Sequence, residues 1–129
     1  MAQHVKRKIL VADDEPTIRQ VVRKRLSKDY VVIEAENGQQ AVDMARTEKP
    51  DAILMDFQMP VLDGLGACYI IKADAETKAI PVIIVSARGH ELDQQYANDM
   101  GADAYITKPF EFSELLNTIK RFLPTLIMK

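Results

Sequence analysis

The sequence predicts an α/β fold in which a mostly parallel sheet is built from repeated strand-helix units. Five short apolar runs rich in β-branched residues alternate with five longer amphipathic stretches, as such units require. The length of 129 residues and the hydrophobic content of 47% suffice for one core. No linker divides the chain, so we expect a single domain over residues 1–129 with its core at about 7–124.

The first half of the chain contains three predicted strands and two predicted helices. Pro16 suits the first turn of the first helix, and Lys49-Pro50 stops the second, which follows the turn Asn37-Gly38. The predicted elements are a strand at 9–12, a helix at about 16–28, a strand around 30–35, a helix ending near 48 and a strand at 52–55. The residues that recur at helical spacing are Ile18, Val21, Val22, Arg25 and Leu26, followed in the second helix by Ala41, Val42 and Ala45. The residues expected on a solvated, basic outer face of the first helix are Arg19, Arg23, Lys24 and Lys28.

The second half of the chain repeats the alternation after a long loop at 57–64. Pro81 precedes the fourth strand, Gly101 stands at the exit of the fourth helix, and Pro124 ends the fifth. Ser113 is the expected N-cap of that last helix. The predicted elements are a helix at about 65–73, a strand at 82–85, a helix at about 91–100, a strand at 104–107 and a helix at about 113–123.

Charge and cysteine content exclude several classes of protein. Cys68 is the single cysteine, so no internal disulfide can form, and no apolar run approaches the roughly 20 residues that span a bilayer. Without a signal peptide, these features predict a cytoplasmic protein that does not insert into membranes. The formal net charge of −2 gives no overall attraction to DNA, so nucleic acid is not an expected direct partner.

Polar residues follow four of the five predicted strands, at the point where each strand ends. Asp13 and Asp14 follow the first strand, Asp56 the third, Ser86 the fourth and Lys108 the fifth. Because the carboxyl ends of parallel strands meet at one edge of a sheet, we expect these side chains to converge in one crevice.

Three carboxylates in one crevice require either protonation or a bound cation. Oxygen ligands point to Mg²⁺, although Mn²⁺ would also fit. Asp56 is the candidate phosphoacceptor because a carboxylate can act as a nucleophile and carry an acyl phosphate. Asp14 would bind the metal directly and Asp13 directly or through water, while Lys108 and Ser86 would contact the phosphoryl oxygens.

With these residues in place, the chain resembles the receiver domains of two-component response regulators, most closely the single-domain chemotaxis and phosphorelay type. The resemblance covers nearly the whole chain. It rests on VADDE with Asp13 and Asp14, on LMDFQMPVLDG with Asp56, Pro60 and Gly64, on IIVSA with Ser86 and Ala87, and on AYITKPF with Tyr105, Lys108 and Pro109.

The resemblance implies a flavodoxin-like (βα)5 three-layer sandwich whose parallel five-stranded sheet has the order 2-1-3-4-5. It implies a phosphoryl group taken from a histidine kinase or histidine phosphotransfer protein, by a signalling protein that catalyses only its own phosphorylation and dephosphorylation. It further implies that the backbone carbonyl of Gln58 completes the metal site and that Lys108-Pro109 is a cis peptide. The basic face of the first helix is then a weaker candidate for docking the kinase.

The resemblance also implies a switch. Phosphorylation would draw the Ser86 hydroxyl inward and let the Tyr105 ring follow, which changes the surface of helix 4, strand 5 and helix 5 that binds a downstream protein. Tyr105 could instead be ordinary packing of an edge strand. We expect Gln58 and Arg88 to modulate the lifetime of the phosphoryl group.

Two enzyme classes of related chemistry or topology are disfavoured by the sequence. A haloacid-dehalogenase-like phosphohydrolase would have a second Asp at position 58, where this chain has Gln. A dinucleotide-binding oxidoreductase would have a glycine-rich first turn, which Asp13-Asp14-Glu15 replaces. The serious alternatives are a receiver-like interaction module that signals without phosphorylation and a receiver fragment of a larger regulator.

Overall fold

A computed structural model describes residues 3–4, 6–87, 89–124 and 127–128. Within them a five-stranded parallel sheet alternates with five helices. The strands are β1 (Arg7–Ala12), β2 (Tyr30–Ala35), β3 (Ala52–Asp56), β4 (Val82–Ser86) and β5 (Ala104–Thr107). The helices are α1 (Pro16–Leu26), α2 (Gly38–Glu48), α3 (Gly64–Ala73), α4 (Glu91–Asp99) and α5 (Phe112–Phe122).

The sheet has the order β2-β1-β3-β4-β5, and all neighbouring strands are parallel. This confirms the α/β class and the predicted order 2-1-3-4-5. The register aligns the carboxyl ends of the strands, since Ala12 pairs with both Ala35 and Met55, and Asp56 pairs with Val85. Residues that follow the strands therefore meet at one edge of the sheet.

Two apolar layers cover the sheet, one on each face. One contains Val22 and Leu26 of α1 together with Leu115 and Ile119 of α5, and the other is formed by α2, α3 and α4. All four residues named are at most 8% exposed. The three-layer arrangement follows from the central strands, which are apolar on both faces and need helices on each side.

Short polar contacts fix where helices α2 and α3 begin. The Asn37 side chain accepts a hydrogen bond from the backbone N–H of Gln40, and Asp63 accepts one from Gly66. Each caps a free backbone donor of the first turn. At the other end of α2, Lys49 has the left-handed conformation, with φ of 45°, which stops the helix before Pro50.

Three predictions about the helices are wrong. Ser113 is not the N-cap of α5, because the helix begins at Phe112, whose ring packs partly buried on the core, with Glu111 as the N-cap. Arg19 does not lie on a solvated face, since it is only 7% exposed. Val21, at 55% exposed, points away from the core that Ile18 and Val22 contact.

Two short segments lie outside the main sheet. Gln3–His4 pairs antiparallel with Ile127–Met128, which brings the two described ends of the chain together. No helix within the described residues has the length and apolar character that a membrane span requires.

Candidate functional site

Three carboxylates gather at the carboxyl edge of the sheet. Asp13 and Asp14 follow β1, Asp56 is the last residue of β3, and one carboxylate oxygen from each lies within 4.8 Å of the others. Asp13 is buried, Asp56 is partly buried and Asp14 is exposed. The structure thus brings together the acidic residues that the sequence predicted to converge, and leaves the cluster open to solvent at Asp14.

The backbone and side chain of Asp13 are both anchored. Its N–H donates a hydrogen bond to the carbonyl of Ala35 in β2, at 3.1 Å. Its Oδ1 accepts one from the N–H of Glu15, at 2.9 Å. Its carbonyl accepts a third from the guanidinium group of Arg19, at 2.6 Å. The turn that carries the acidic pair is therefore fixed against the neighbouring strand.

Lys108 brings a positive charge to the cluster. Its Nζ lies 3.4 Å from Oδ2 of Asp13 and 3.6 Å from Oδ1 of Asp56. The backbone N–H of Lys108 donates to the carbonyl of Ser86 at 2.7 Å, which ties the loop after β5 to the end of β4. The peptide bond between Lys108 and Pro109 is cis, the geometry that the resemblance implies.

The charges of the cluster do not balance. Burial and the neighbouring charge of Asp13 raise the pKa of Asp56 to about 6, because the opposing effect of Lys108 is smaller. Asp14 adds to the rise, and the backbone N–H of Phe57 reduces it. Bringing a positive charge to the cluster would relieve this repulsion.

The donor set of the cluster fits a hard divalent cation. All three side chains offer carboxylate oxygens, the ligands that Mg²⁺ and Mn²⁺ prefer. The raised pKa of Asp56 agrees with this, since a bound cation would favour the ionised carboxylate that burial and the charge of Asp13 disfavour. The residues present therefore fit a magnesium site.

The structure describes three of the four remaining predicted residues. Ser86 ends β4 and is buried, and Tyr105 of β5 is partly buried against the core layer of α2, α3 and α4. Gln58 is exposed two positions after Asp56. Arg88 lies outside the described residues.

Gly64 permits the close approach of α3 to the site. A Cβ atom at this position would overlap the backbone carbonyl of Asp56, so only glycine fits. The N–H of Gly64 donates to the carbonyl of Phe57 at 2.8 Å, which closes the loop after β3. Any larger residue at position 64 would push the loop away from Asp56.

The contacts of Arg19 with Asp13 and with the glutamates that face it were not predicted from the sequence. Arg19, Val22 and Leu26 are spaced three and four residues apart, so they share one helix face, and Val22 and Leu26 are buried. That spacing was the available signal, but four basic residues in one helix favoured a solvated face. The partner Glu34 lies on β2 and could be recognised only from the tertiary structure.

Comparison of the sequence with known proteins gives consistent matches. Residues 9–120 match the response regulator receiver domain family. Protein PilH of Pseudomonas aeruginosa is 44% identical over 117 residues, which cover 90% of this chain and 97% of that protein. The transcriptional regulatory protein ResD of Bacillus subtilis is 39% identical over 124 residues, and the chain spans only 50% of its length.

Solved structures match over nearly the whole chain. Chemotaxis protein CheY4 of Vibrio cholerae superposes with a TM-score of 0.86 at 28% identity, covering 92% of this chain and 99% of that one. The receiver domain of the sensor histidine kinase PA1611 of Pseudomonas aeruginosa superposes with a TM-score of 0.85 at 32% identity, covering 92% and 98%. That structure has a magnesium ion coordinated in its active-site cleft.

Proposed function

The chain belongs to the response regulator receiver domain family of two-component signalling, and we propose that it accepts a phosphoryl group on Asp56. Receiver domains are partnered with histidine kinases. The donor we propose is a histidine kinase or a histidine phosphotransfer protein, in the cytoplasm. The observation that carries the proposal is the cluster of Asp13, Asp14 and Asp56 with Lys108 beside it.

Asp14, Asp56 and the backbone carbonyl of Gln58 would hold the divalent cation, with Asp13 binding it directly or through water. We propose Mg²⁺, with Mn²⁺ as a possible substitute. When bound, the ion supplies charge neutralisation for the carboxylates and the incoming phosphoryl oxygens. Gln58 is assigned from the resemblance alone.

In the proposed reaction, a carboxylate oxygen of Asp56 attacks the phosphorus of a phosphohistidine. The new P–O bond forms as the P–N bond breaks, and the histidine nitrogen takes the electron pair. The Lys108 ammonium group lies 3.6 Å from Asp56, close enough to neutralise charge that develops on a phosphoryl oxygen. The hydroxyl group of Ser86 would donate a hydrogen bond to another phosphoryl oxygen.

Dephosphorylation would occur by attack of water on phosphorus: a P–O bond to the water oxygen forms as the P–O bond to Asp56 breaks, which releases inorganic phosphate and regenerates the carboxylate. Gln58 is exposed beside Asp56, where its side chain can influence the approach of water. We propose that Gln58 and Arg88 together set the lifetime of the phosphoryl group. These two steps, gain and loss of its own phosphoryl group, are the only catalysis we propose for this chain.

Phosphorylation would shift the population between two states of the surface formed by α4, β5 and α5. In the proposed switch, Ser86 moves toward the phosphoryl group and the Tyr105 ring follows. Leu92 and Tyr96 of α4 are 56% and 49% exposed, which gives a downstream protein apolar side chains to contact. The proposed output is a change in the affinity of that protein.

The direct test is intact-mass measurement after incubation with acetyl phosphate and magnesium chloride. We expect the wild-type protein to gain the mass of one phosphoryl group and Asp56→Asn to gain none. Asp43→Asn is the matched control, because Asp43 is an exposed carboxylate on α2 away from the cluster. Labelling of Asp56→Asn to the same extent as wild type would contradict the assignment of Asp56, as would loss of labelling in Asp43→Asn alone. No labelling of the wild type would contradict phosphorylation itself and favour an interaction module that signals without it.

A further inference from the structure

Arg19 joins the acidic cluster to the neighbouring strand. It lies in the second turn of α1, and its guanidinium group is buried between this helix and β2. Nη1 donates a hydrogen bond to the backbone carbonyl of Asp13 at 2.6 Å, and Nε donates to Oε1 of Glu34 at 3.1 Å. One planar group therefore contacts both the turn with the acidic pair and the edge strand of the sheet.

The positive charge of Arg19 is already balanced by partners of its own. Besides Glu34, the carboxylate of Glu36 lies 3.7 Å from Nη2 of Arg19. Arg23 binds the other oxygen of Glu34 at 2.7 Å. These two arginines and two glutamates sum to zero charge when all are ionised. The contribution of Arg19 to the acidic cluster is therefore its hydrogen bond to Asp13 more than its charge.

We propose that Arg19 is a positioning residue, which holds the turn after β1 so that the carboxylates of Asp13 and Asp14 converge with that of Asp56. This inference rests on the proposed function, because the convergence matters only if the cluster holds a divalent cation. Carboxylates at such short separations repel each other, and the bond to the Asp13 carbonyl opposes movement of the turn away from β3. Arginine suits this role because its rigid fork donates in two fixed directions, which a lysine ammonium group does not reproduce.

Positioning and simple electrostatics predict opposite effects when Arg19 is replaced by a neutral residue. Removal of a positive charge near a cation site would, by electrostatics alone, reduce Coulomb repulsion of the magnesium ion and strengthen its binding. Loss of positioning would weaken it, since residues that orient metal ligands typically contribute about 10- to 100-fold to metal affinity. The direction of the change in Kd therefore separates the two explanations.

The test is titration of magnesium chloride into wild type, Arg19→Gln, Arg19→Lys and Arg23→Gln, followed by the backbone amide signals in NMR spectra. We expect Arg19→Gln to raise the Kd about tenfold, and Arg19→Lys to raise it by a smaller factor of about three. Arg23→Gln is the matched control: it removes the same charge one turn further along α1, also from Glu34, but Arg23 donates to the carbonyl of Val32 instead of Asp13. Its Kd should stay within about twofold of wild type or fall.

Unfolding transitions recorded without magnesium measure the effect of each substitution on the fold separately. A Kd for folded Arg19→Gln that equals or falls below the wild-type value would overturn the proposal, even if that variant is less stable. If Arg19→Gln does not fold, Arg19→Lys decides by the same criterion. Failure of the wild type to bind magnesium would instead remove the metal site from the proposed function, and this inference with it.

Discussion

Charged side chains are paired differently at the amino and carboxyl ends of the sheet. At the amino end, the Nζ of Lys72 lies 2.7 Å from Asp103 and donates to the carbonyl of Ile80 at 2.6 Å. Oδ2 of Asp103 also accepts from the N–H of Val82 at 2.8 Å, so both members of this ion pair have further hydrogen-bond partners. At the carboxyl end, three carboxylates gather, and the ammonium group of Lys108 lies beside two of them, Asp13 and Asp56. One end is built for stability, whereas the other keeps uncompensated repulsion that a ligand can relieve.

The largest change in the free energy of unfolding is expected at the amino end of the sheet. Lys72→Met should destabilise the fold by about 3 kcal/mol, because it removes a mostly buried ammonium group and leaves Asp103 and two carbonyls without that donor. Chemical denaturation at pH 7 measures the change. Lys8→Met is the control, since the ion pair of Lys8 with Glu48 is 3.6 Å long and more exposed, and its loss should change stability by less than about 1 kcal/mol. Equal losses of stability in the two variants would show that the Lys72 contacts contribute no more than the exposed ion pair of Lys8.

At the carboxyl end of the sheet, removal of a charge should instead stabilise the fold. Because the folded-state pKa of Asp56 is about 6, above the ordinary value of 3.8, ionisation of this group destabilises the fold. Its contribution is most favourable below pH 4 and is lost as the pH rises through about 6. Without magnesium, Asp56→Asn should therefore be more stable than wild type by about 2 kcal/mol at pH 7, a value reduced from the full shift because the side chain is partly exposed.

The pH dependence isolates this effect from other titrating groups. The difference in unfolding free energy between Asp56→Asn and wild type should be small near pH 4 and reach its full size by pH 7. Asp43→Asn, on the exposed face of α2, should show a difference below about 0.5 kcal/mol at both pH values. A difference for Asp56→Asn that does not vary with pH would mean that the carboxylate is not under electrostatic stress.

The backbone of the loop after Asp56 is strained at one residue, and the expected effect on stability is smaller. Val61 has a φ of 71°, in the left-handed region that a β-branched residue rarely adopts, and its side chain is 82% exposed. Val61→Asn should stabilise the fold by about 1 kcal/mol, because asparagine tolerates this conformation. Val61→Ile keeps the branched side chain and should give no gain. A thermal melt of both variants measures the difference, and equal melting temperatures would show that the loop is not strained.

Periodicity predicted most of the fold, because apolar spacing reports burial directly. All five strands and five helices were placed within about two residues of their observed bounds, and helix α2 carries Ala41, Val42 and Ala45 inward as predicted. The start of α5 was wrong by one residue, because Phe112 gains burial by joining the helix. Single hydroxyl groups such as that of Ser113 are a weak signal when a neighbouring aromatic residue can pack.

The acidic cluster was also predictable, because parallel strands bring their carboxyl ends together in any such sheet. The contacts and the burial that surround the cluster were not predictable. The contact between Arg19 and Asp13 depends on how α1 crosses β2, and the pKa of Asp56 depends on burial that the sequence does not give. Sequence therefore identified the acidic groups that converge at this edge, and tertiary structure identified the groups that support them and the electrostatic stress around them.

The most direct measurement of the central claim is an NMR titration of the Asp56 side-chain carboxyl carbon in magnesium-free protein. We expect a pKa of about 6 for Asp56, raised by burial and by the charge of Asp13. This pKa should fall when magnesium chloride is added, because a bound cation favours the ionised form. A pKa at the ordinary value of 3.8 in the metal-free protein would contradict the claim that this end of the sheet carries excess negative charge.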